Sequence, residues 1–90
     1  MKTPILVAVL IAAGASATAF AGASCQAHPK DKWIKEADFK KQLTGQGYQI
    51  KTFKVDGNCY ELYGKNKDGK KVEIYFDTVS GKPVKSEIDD

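Results

Sequence analysis

The amino-acid sequence predicts an α+β fold in which one short N-terminal helix packs on a three- to four-stranded antiparallel meander sheet. A segment with helical apolar spacing comes first, several runs with strand-like patterns follow it, and short turns that contain glycine separate those runs. With 90 residues and no internal repeat, the chain has room for one small domain.

The helix is predicted over residues 36–45. Phe39 and Leu43 are four positions apart, so their side chains form one buried stripe. Lys35 would stand at the N-cap, where lysine is a poor capping residue. Ile34 and Phe39 compensate for this, because they are spaced to form a hydrophobic staple around the helix start.

Three strand-like runs follow the helix and occupy residues 48–55, 58–65 and 70–77. In the first run the phase of the apolar residues changes near Lys51, which predicts a β-bulge. A fourth, short edge strand is predicted over residues 82–86, where Pro83 suits an edge because proline cannot donate to a sheet ladder. We expect the last residues, 87–90, to be frayed.

Alternation along the strands assigns their side chains to two faces of the sheet. The helix should cover the face that carries Leu62, Val72, Ile74 and Phe76. Tyrosine on the opposite face is common both in ordinary strands and in interfaces. The candidate partner-binding residues are Tyr63, Tyr75, Glu61, Glu73 and Trp33. The favoured alternative for Trp33 is that it covers a gap in the small core.

Residues 1–21 have the features of a cleaved signal peptide. Lys2 precedes an apolar, alanine-rich run, and Ala19-Phe20-Ala21 fits the pattern that signal peptidase cleaves. The strongly apolar run is shorter than the roughly 20 residues that a bilayer-spanning helix needs. The sequence therefore predicts a periplasmic protein with an extended arm over residues 22–32, a domain over 33–88, and no membrane span after leader removal.

The charge pattern argues against a nucleic-acid partner. The chain has a formal net charge of +3, and all of its 14 basic residues are lysine. Nucleic-acid-binding proteins usually concentrate their positive charge and use arginine for bidentate contacts. Here the lysines are interleaved with acidic residues, as on an ordinary solvated surface.

Several roles are open to Cys25, which lies directly behind the predicted leader. A disulfide with Cys59 is favoured, because exported cysteines usually oxidise and a domain this small needs a covalent staple. A lipid anchor is a weaker alternative, since Gly22 stands where an anchoring signal has an aliphatic residue. Metal ligation with His28 and a reactive thiol also remain open, whereas attached haem needs a C-x-x-C-H motif and the chain reads CQAH.

The sequence contains little that would support catalysis. With one histidine, a Ser-His-acid set cannot be placed by spacing, and neither a glycine-rich phosphate loop nor an HExxH motif is present. Glu61 and Glu73 alternate with lysines, which is typical of a solvated face. We predict a noncatalytic protein without cofactor or metal, with a solvated imidazole at His28.

The segment CYELYGKNKDGKKVEIYFDTVSGKPV, residues 59–84, resembles the PepSY family of peptidase-propeptide domains. The pattern W-I-x4-F-x3-L-x3-G-Y-x-I, from Trp33 to Ile50, belongs to the same resemblance. In short exported members a C-Y-E-[LVI]-Y segment and an upstream cysteine recur, and Cys59 and Cys25 fit these places. The family's D-P-x-T-G-x-V pattern is altered here to DTVSGKPV.

The resemblance implies a helix packed on an antiparallel sheet and a noncatalytic role. In propeptides such domains hold or inhibit a metallopeptidase, and stand-alone members are thought to bind or regulate neighbours at the cell envelope. The implied partner is therefore an envelope or secreted protein, such as a peptidase. The alternative is an accessory subunit or regulator of a membrane b-type cytochrome or another redox protein.

Overall fold

The computed structural model describes residues 22–89, so the predicted signal peptide lies outside the described residues. The elements are a 3-10 turn at Lys30–Lys32, helix α1 at Glu36–Gly45, and strands β1 at Gln49–Asp56, β2 at Cys59–Lys65, β3 at Lys71–Asp77 and β4 at Pro83–Asp89. The α+β prediction is confirmed, although the helix lies in the middle of the chain. No helix within residues 22–89 is long and apolar enough to cross a membrane.

The four strands form one antiparallel sheet in the order β1-β2-β3-β4, which is the predicted meander. Each strand pairs with the next one in the chain through a short turn. The turn between β1 and β2 uses Gly57 at φ 61°, a left-handed conformation that glycine adopts without steric cost. Short turns of this kind place each strand beside the strand that precedes it in the sequence.

Helix α1 has the bounds that its apolar spacing predicts. Its N-cap is Lys35, whose side chain makes no capping hydrogen bond, while Glu36 and Asp38 in the first turn suit the helix dipole. Phe39 and Leu43 are each only 1% exposed, so the predicted stripe is the face that packs on the sheet.

The predicted β-bulge is present in β1. The pairing between β1 and β2 skips Lys51. Ile50 before the bulge and Phe53 after it both pack against the core. The phase change in the sequence is therefore the consequence of one extra residue, which lets both apolar side chains reach the same face.

The core lies between α1 and the sheet, with aromatic rings at its centre. The ring of Phe39 lies 5.0 Å from that of Phe76 and 5.7 Å from that of Tyr60, centroid to centroid. Such contacts add to the stabilisation from burial of apolar area. The fully packed residues are Phe39, Leu43, Tyr60, Leu62, Val72, Ile74 and Phe76.

The prediction for the end of the chain is wrong for residues 87–89. Strand β4 continues to Asp89, with Glu87 opposite Glu73 and Ile88 opposite Val72 on β3. A strand that pairs with a formed neighbour gains backbone hydrogen bonds whatever its own apolar content. The weak apolar pattern of this segment therefore does not prevent it from joining the sheet.

Candidate partner-binding face

The outer face is the face of the sheet directed away from α1. Directly opposite residues of antiparallel strands project from the same face, so the register of β2 and β3 fixes which side chains lie there. They are Cys59, Glu61, Tyr63, Lys65, Lys71, Glu73, Tyr75 and Asp77. The outer face thus contains four of the five residues that the sequence nominated for partner binding.

The arm, residues 22–29, covers the end of the outer face where β2 begins and β3 ends. A disulfide joins Cys25 to Cys59 with their Cα atoms 5.4 Å apart. Gly22 lies against the ring of Tyr75, and its carbonyl oxygen accepts a hydrogen bond from Lys85 Nζ at 3.5 Å. Cys59 is fully buried as a result, and Tyr75 is only 6% exposed.

A histidine–aspartate pair holds the arm where it leaves the outer face. His28 Nε2 lies 2.9 Å from Asp77 Oδ1, so the prediction of a solvated imidazole is wrong. The other oxygen, Asp77 Oδ2, accepts hydrogen bonds from the backbone N–H groups of Val79 and Ser80 at 3.0 and 2.7 Å. The Ser80 N–H, followed by the contact with His28, holds the pKa of Asp77 well below its usual range.

Trp33 lies away from the outer face and packs against the core beside α1. Its ring meets that of Tyr60 edge to face, with centroids 5.4 Å apart. Its indole N–H donates to the His28 carbonyl oxygen at 3.0 Å. This placement separates Trp33 from the other nominated residues and favours the alternative in which it covers a gap in the core.

Two carboxyl groups and a tyrosine occupy the middle of the outer face. Tyr75 donates a hydrogen bond from its hydroxyl to Glu73 Oε2 at 2.9 Å, and Lys54 Nζ lies 3.8 Å from Glu61 Oε1. Burial raises the pKa of Glu61, while the hydrogen bond with Glu61 lowers the pKa of Glu73. Only 6% of Glu61 is exposed, so this residue is not part of a solvated face.

The opposite end of the outer face is open, with lysines on β1, β2 and β3 and Asp89 of β4 opposite Lys71. Tyr63 is 44% exposed, and Lys51 Nζ lies 6.0 Å from the centre of its ring. Lys65 and Lys71 are directly opposite each other on β2 and β3, a like-charge pairing that disfavours the sheet. We name these four residues, Lys51, Tyr63, Lys65 and Lys71, the basic patch; they line a shallow groove of about 230 Å³.

Gly64 allows β1 and β2 to approach closely beside the basic patch. A Cβ atom at this position would collide with the backbone carbonyl oxygen of Gln49. The bulge lies next to this contact, between the pairs Ile50–Gly64 and Thr52–Tyr63. The groove therefore depends on a glycine at position 64.

Sequence reasoning missed the three lysines of the basic patch. Lysines at alternating strand positions read as solvent-facing residues, and their clustering depends on the register of two strand pairs. The hairpin turn at Asp68-Gly69 was the available signal, because it sets Lys65 opposite Lys71.

Among residues 22–89, no three His, Cys, Asp or Glu side chains are grouped so that they could hold a metal ion.

Fold and site together define a small disulfide-bonded α+β domain that has one open end on its outer face. The sequence model of the PepSY family, described as the peptidase propeptide and YPEB domain, matches residues 5–87. The chain therefore belongs to this family, as its sequence motifs indicate, and membership suggests a propeptide-like, noncatalytic module. Comparisons with curated proteins and with solved structures found no match.

Proposed function

We propose that this protein is a noncatalytic periplasmic binding module that regulates a peptidase or another cell-envelope protein. Family membership supports a propeptide-like role. The Cys25–Cys59 disulfide supports export, because such bonds persist in oxidising compartments such as the periplasm. The partner contacts the open end of the outer face.

The observation that carries this proposal is the basic patch. An exposed tyrosine beside lysine side chains is a common composition for a recognition surface, since tyrosine supplies both apolar area and a hydroxyl. Lys71 has Asp89 opposite it on β4, whereas Lys65 has only Gln49 and Lys71 opposite it. An acidic group of a partner would reduce the repulsion between Lys65 and Lys71. The patch therefore fits a partner surface that presents carboxylate groups.

The arm offers no comparable surface. Cys25 is bonded to Cys59, and His28 is paired with Asp77. Metal or haem contact at these two arm residues is one route by which the redox-accessory alternative would act. Their engagement within the domain gives that route no support.

Site-specific photo-crosslinking in living cells tests the proposal. A photoreactive amino acid replaces Tyr63 in one variant and Lys41, which is exposed on α1, in the control variant. We expect an envelope or secreted protein to be crosslinked from position 63 and identified by mass spectrometry, with no such product from position 41.

A charge reversal then tests the chemistry of the contact. Lys65→Glu with Lys71→Glu should abolish the crosslink from position 63, because the partner surface is acidic. Lys35→Glu with Lys41→Glu changes the net charge equally on the helix side and should leave the crosslink intact. Equal crosslinking from both positions, or crosslinking that survives the Lys65 and Lys71 reversal, would refute the proposed surface.

A further inference from the structure

Strand β4 forms one edge of the sheet, with β3 as its paired neighbour among the described residues. An edge strand presents unpaired backbone N–H and C=O groups that can pair with another strand. Two large apolar residues of this strand are also exposed, Val84 to 46% and Ile88 to 58%. The edge therefore has backbone groups that can pair with another strand and apolar side chains whose burial would be favourable.

The sequence of β4, PVKSEID, is complementary to itself when read antiparallel. Within one copy Lys85 Nζ lies 3.6 Å from Glu87 Oε2. A two-fold axis at Ser86 also places Lys85 opposite Glu87 of a second copy, and Glu87 opposite Lys85 of that copy, so the two ion pairs become a network of four charges. The same register places Val84 opposite Ile88 in both directions. Opposite charges and apolar pairs in directly opposed positions both stabilise antiparallel strands.

The other sheet edge does not have this property. A two-fold axis at Thr52 or at Phe53 of β1 sets Lys51 opposite Phe53 or Val55 of the second copy, so neither register pairs opposite charges. The bulge at Lys51 also interrupts the regular ladder of this strand. Charge complementarity thus distinguishes β4 from β1 as a site for self-association.

We propose that the protein forms a symmetric dimer by antiparallel pairing of β4 with β4 of a second copy. The paired segment is residues 84–88, because Pro83 cannot donate a hydrogen bond and the register with β3 is irregular at that end. The contact is isologous, which means that the same surface of both copies takes part, as two-fold symmetry requires. It joins two four-stranded sheets into one continuous sheet.

The dimer has a geometric consequence for the outer face. Opposed residues of paired antiparallel strands share a face, so both copies of α1 lie on one side of the joined sheet and both basic patches lie on the other. Two patches directed the same way can engage a repeated or dimeric partner with increased avidity. The dimer itself does not depend on the identity of that partner.

A charge-swap series measured by analytical ultracentrifugation tests this dimer. The oxidised wild-type protein should show a concentration-dependent rise to twice the mass of one chain. Glu87→Lys sets lysine against lysine and Lys85→Glu sets glutamate against glutamate, so each variant should remain monomeric at concentrations where the wild type is dimeric. Lys41→Glu on α1 is the control and should dimerise normally.

Restoration of pairing separates this dimer from unspecific effects of charge. The double variant Lys85→Glu with Glu87→Lys should recover the dimer, and an equimolar mixture of the two single variants should form a heterodimer. Circular dichroism confirms that each variant is folded. A monomeric wild type at all concentrations, dimerisation of both single variants, or failure of the double variant to recover the dimer would each overturn the proposal.

Discussion

The two ends of the outer face differ, although one alternation pattern produces both. Tyr63 and Tyr75 project from neighbouring strands on the same face, yet Tyr63 is 44% exposed and Tyr75 is 6% exposed. At the Tyr75 end the arm lies over the sheet, whereas at the Tyr63 end the groove of the basic patch is open. Strand periodicity determines the face of a side chain, and contacts distant in sequence determine its burial.

This difference divides the outer face by role. Side chains under the arm engage one another and hold the chain together, as in the disulfide and the His28–Asp77 pair. At the open end, by contrast, the sheet places Lys65 directly opposite Lys71. Lys71 also lies opposite Asp89 of β4, whereas Lys65 faces Gln49 on β1 and so has no acidic residue opposite it.

Loss of the disulfide should have the largest effect on the covered end. Cys25→Ser with Cys59→Ser removes a crosslink between residues 34 positions apart. The chain-entropy model predicts a loss of roughly 3–4 kcal/mol in the free energy of unfolding, a large part of the stability of a domain this size. The arm should then leave the outer face and expose Tyr75.

Denaturant unfolding of wild type and variant, each with and without reductant, measures this loss. Reductant should destabilise the wild type and leave the double serine variant unchanged. The variant thus controls for any effect of reductant other than cleavage of the disulfide. Hydrogen exchange should show faster exchange around Tyr75 and little change around Tyr63. A loss of stability below about 1 kcal/mol would mean that noncovalent contacts alone hold the arm.

Asp77→Ala should have the next largest effect, again at the covered end. It removes the carboxylate that contacts His28 and accepts hydrogen bonds from the backbone of Val79 and Ser80. Hydrogen bonds to a charged group contribute about 1.5–3 kcal/mol, and we expect a loss near the lower end because this turn is partly solvated. Asp31→Ala, in the exposed 3-10 turn, is the matched control and should be close to neutral.

The effect of Asp77→Ala should depend on pH in one direction. The folded protein lowers the pKa of Asp77, so its stabilisation is present above the unfolded pKa of about 4 and is lost as the pH falls below it. The difference in unfolding free energy between wild type and variant should therefore shrink as the pH falls from about 6 to about 2. A difference that stays constant over this range would show that the carboxylate charge contributes nothing.

The sequence predicts those features that follow from local periodicity and turn chemistry. Helix α1, the order of the meander, the bulge at Lys51 and the residues of the helix-covered face all belong to this group, and the disulfide was the favoured role for the two cysteines. The burial of Tyr75 and the His28–Asp77 contact were not predictable in this way. His28 and Asp77 are 49 positions apart, and no pattern of short period connects such residues.

A pair of hydroxyl deletions gives the smallest effect and the sharpest comparison of the two ends. Tyr75→Phe removes the hydroxyl that donates to Glu73 and leaves a partly buried carboxylate oxygen without this donor, so we expect a loss of about 1 kcal/mol in unfolding free energy. Tyr63→Phe makes the same chemical change in an exposed side chain and should alter stability by less than about 0.5 kcal/mol. Thermal and denaturant unfolding of both variants measure the two losses. Equal losses would show that the two hydroxyl groups have equivalent environments. The distinction between a covered end and an open end of the outer face would then be wrong.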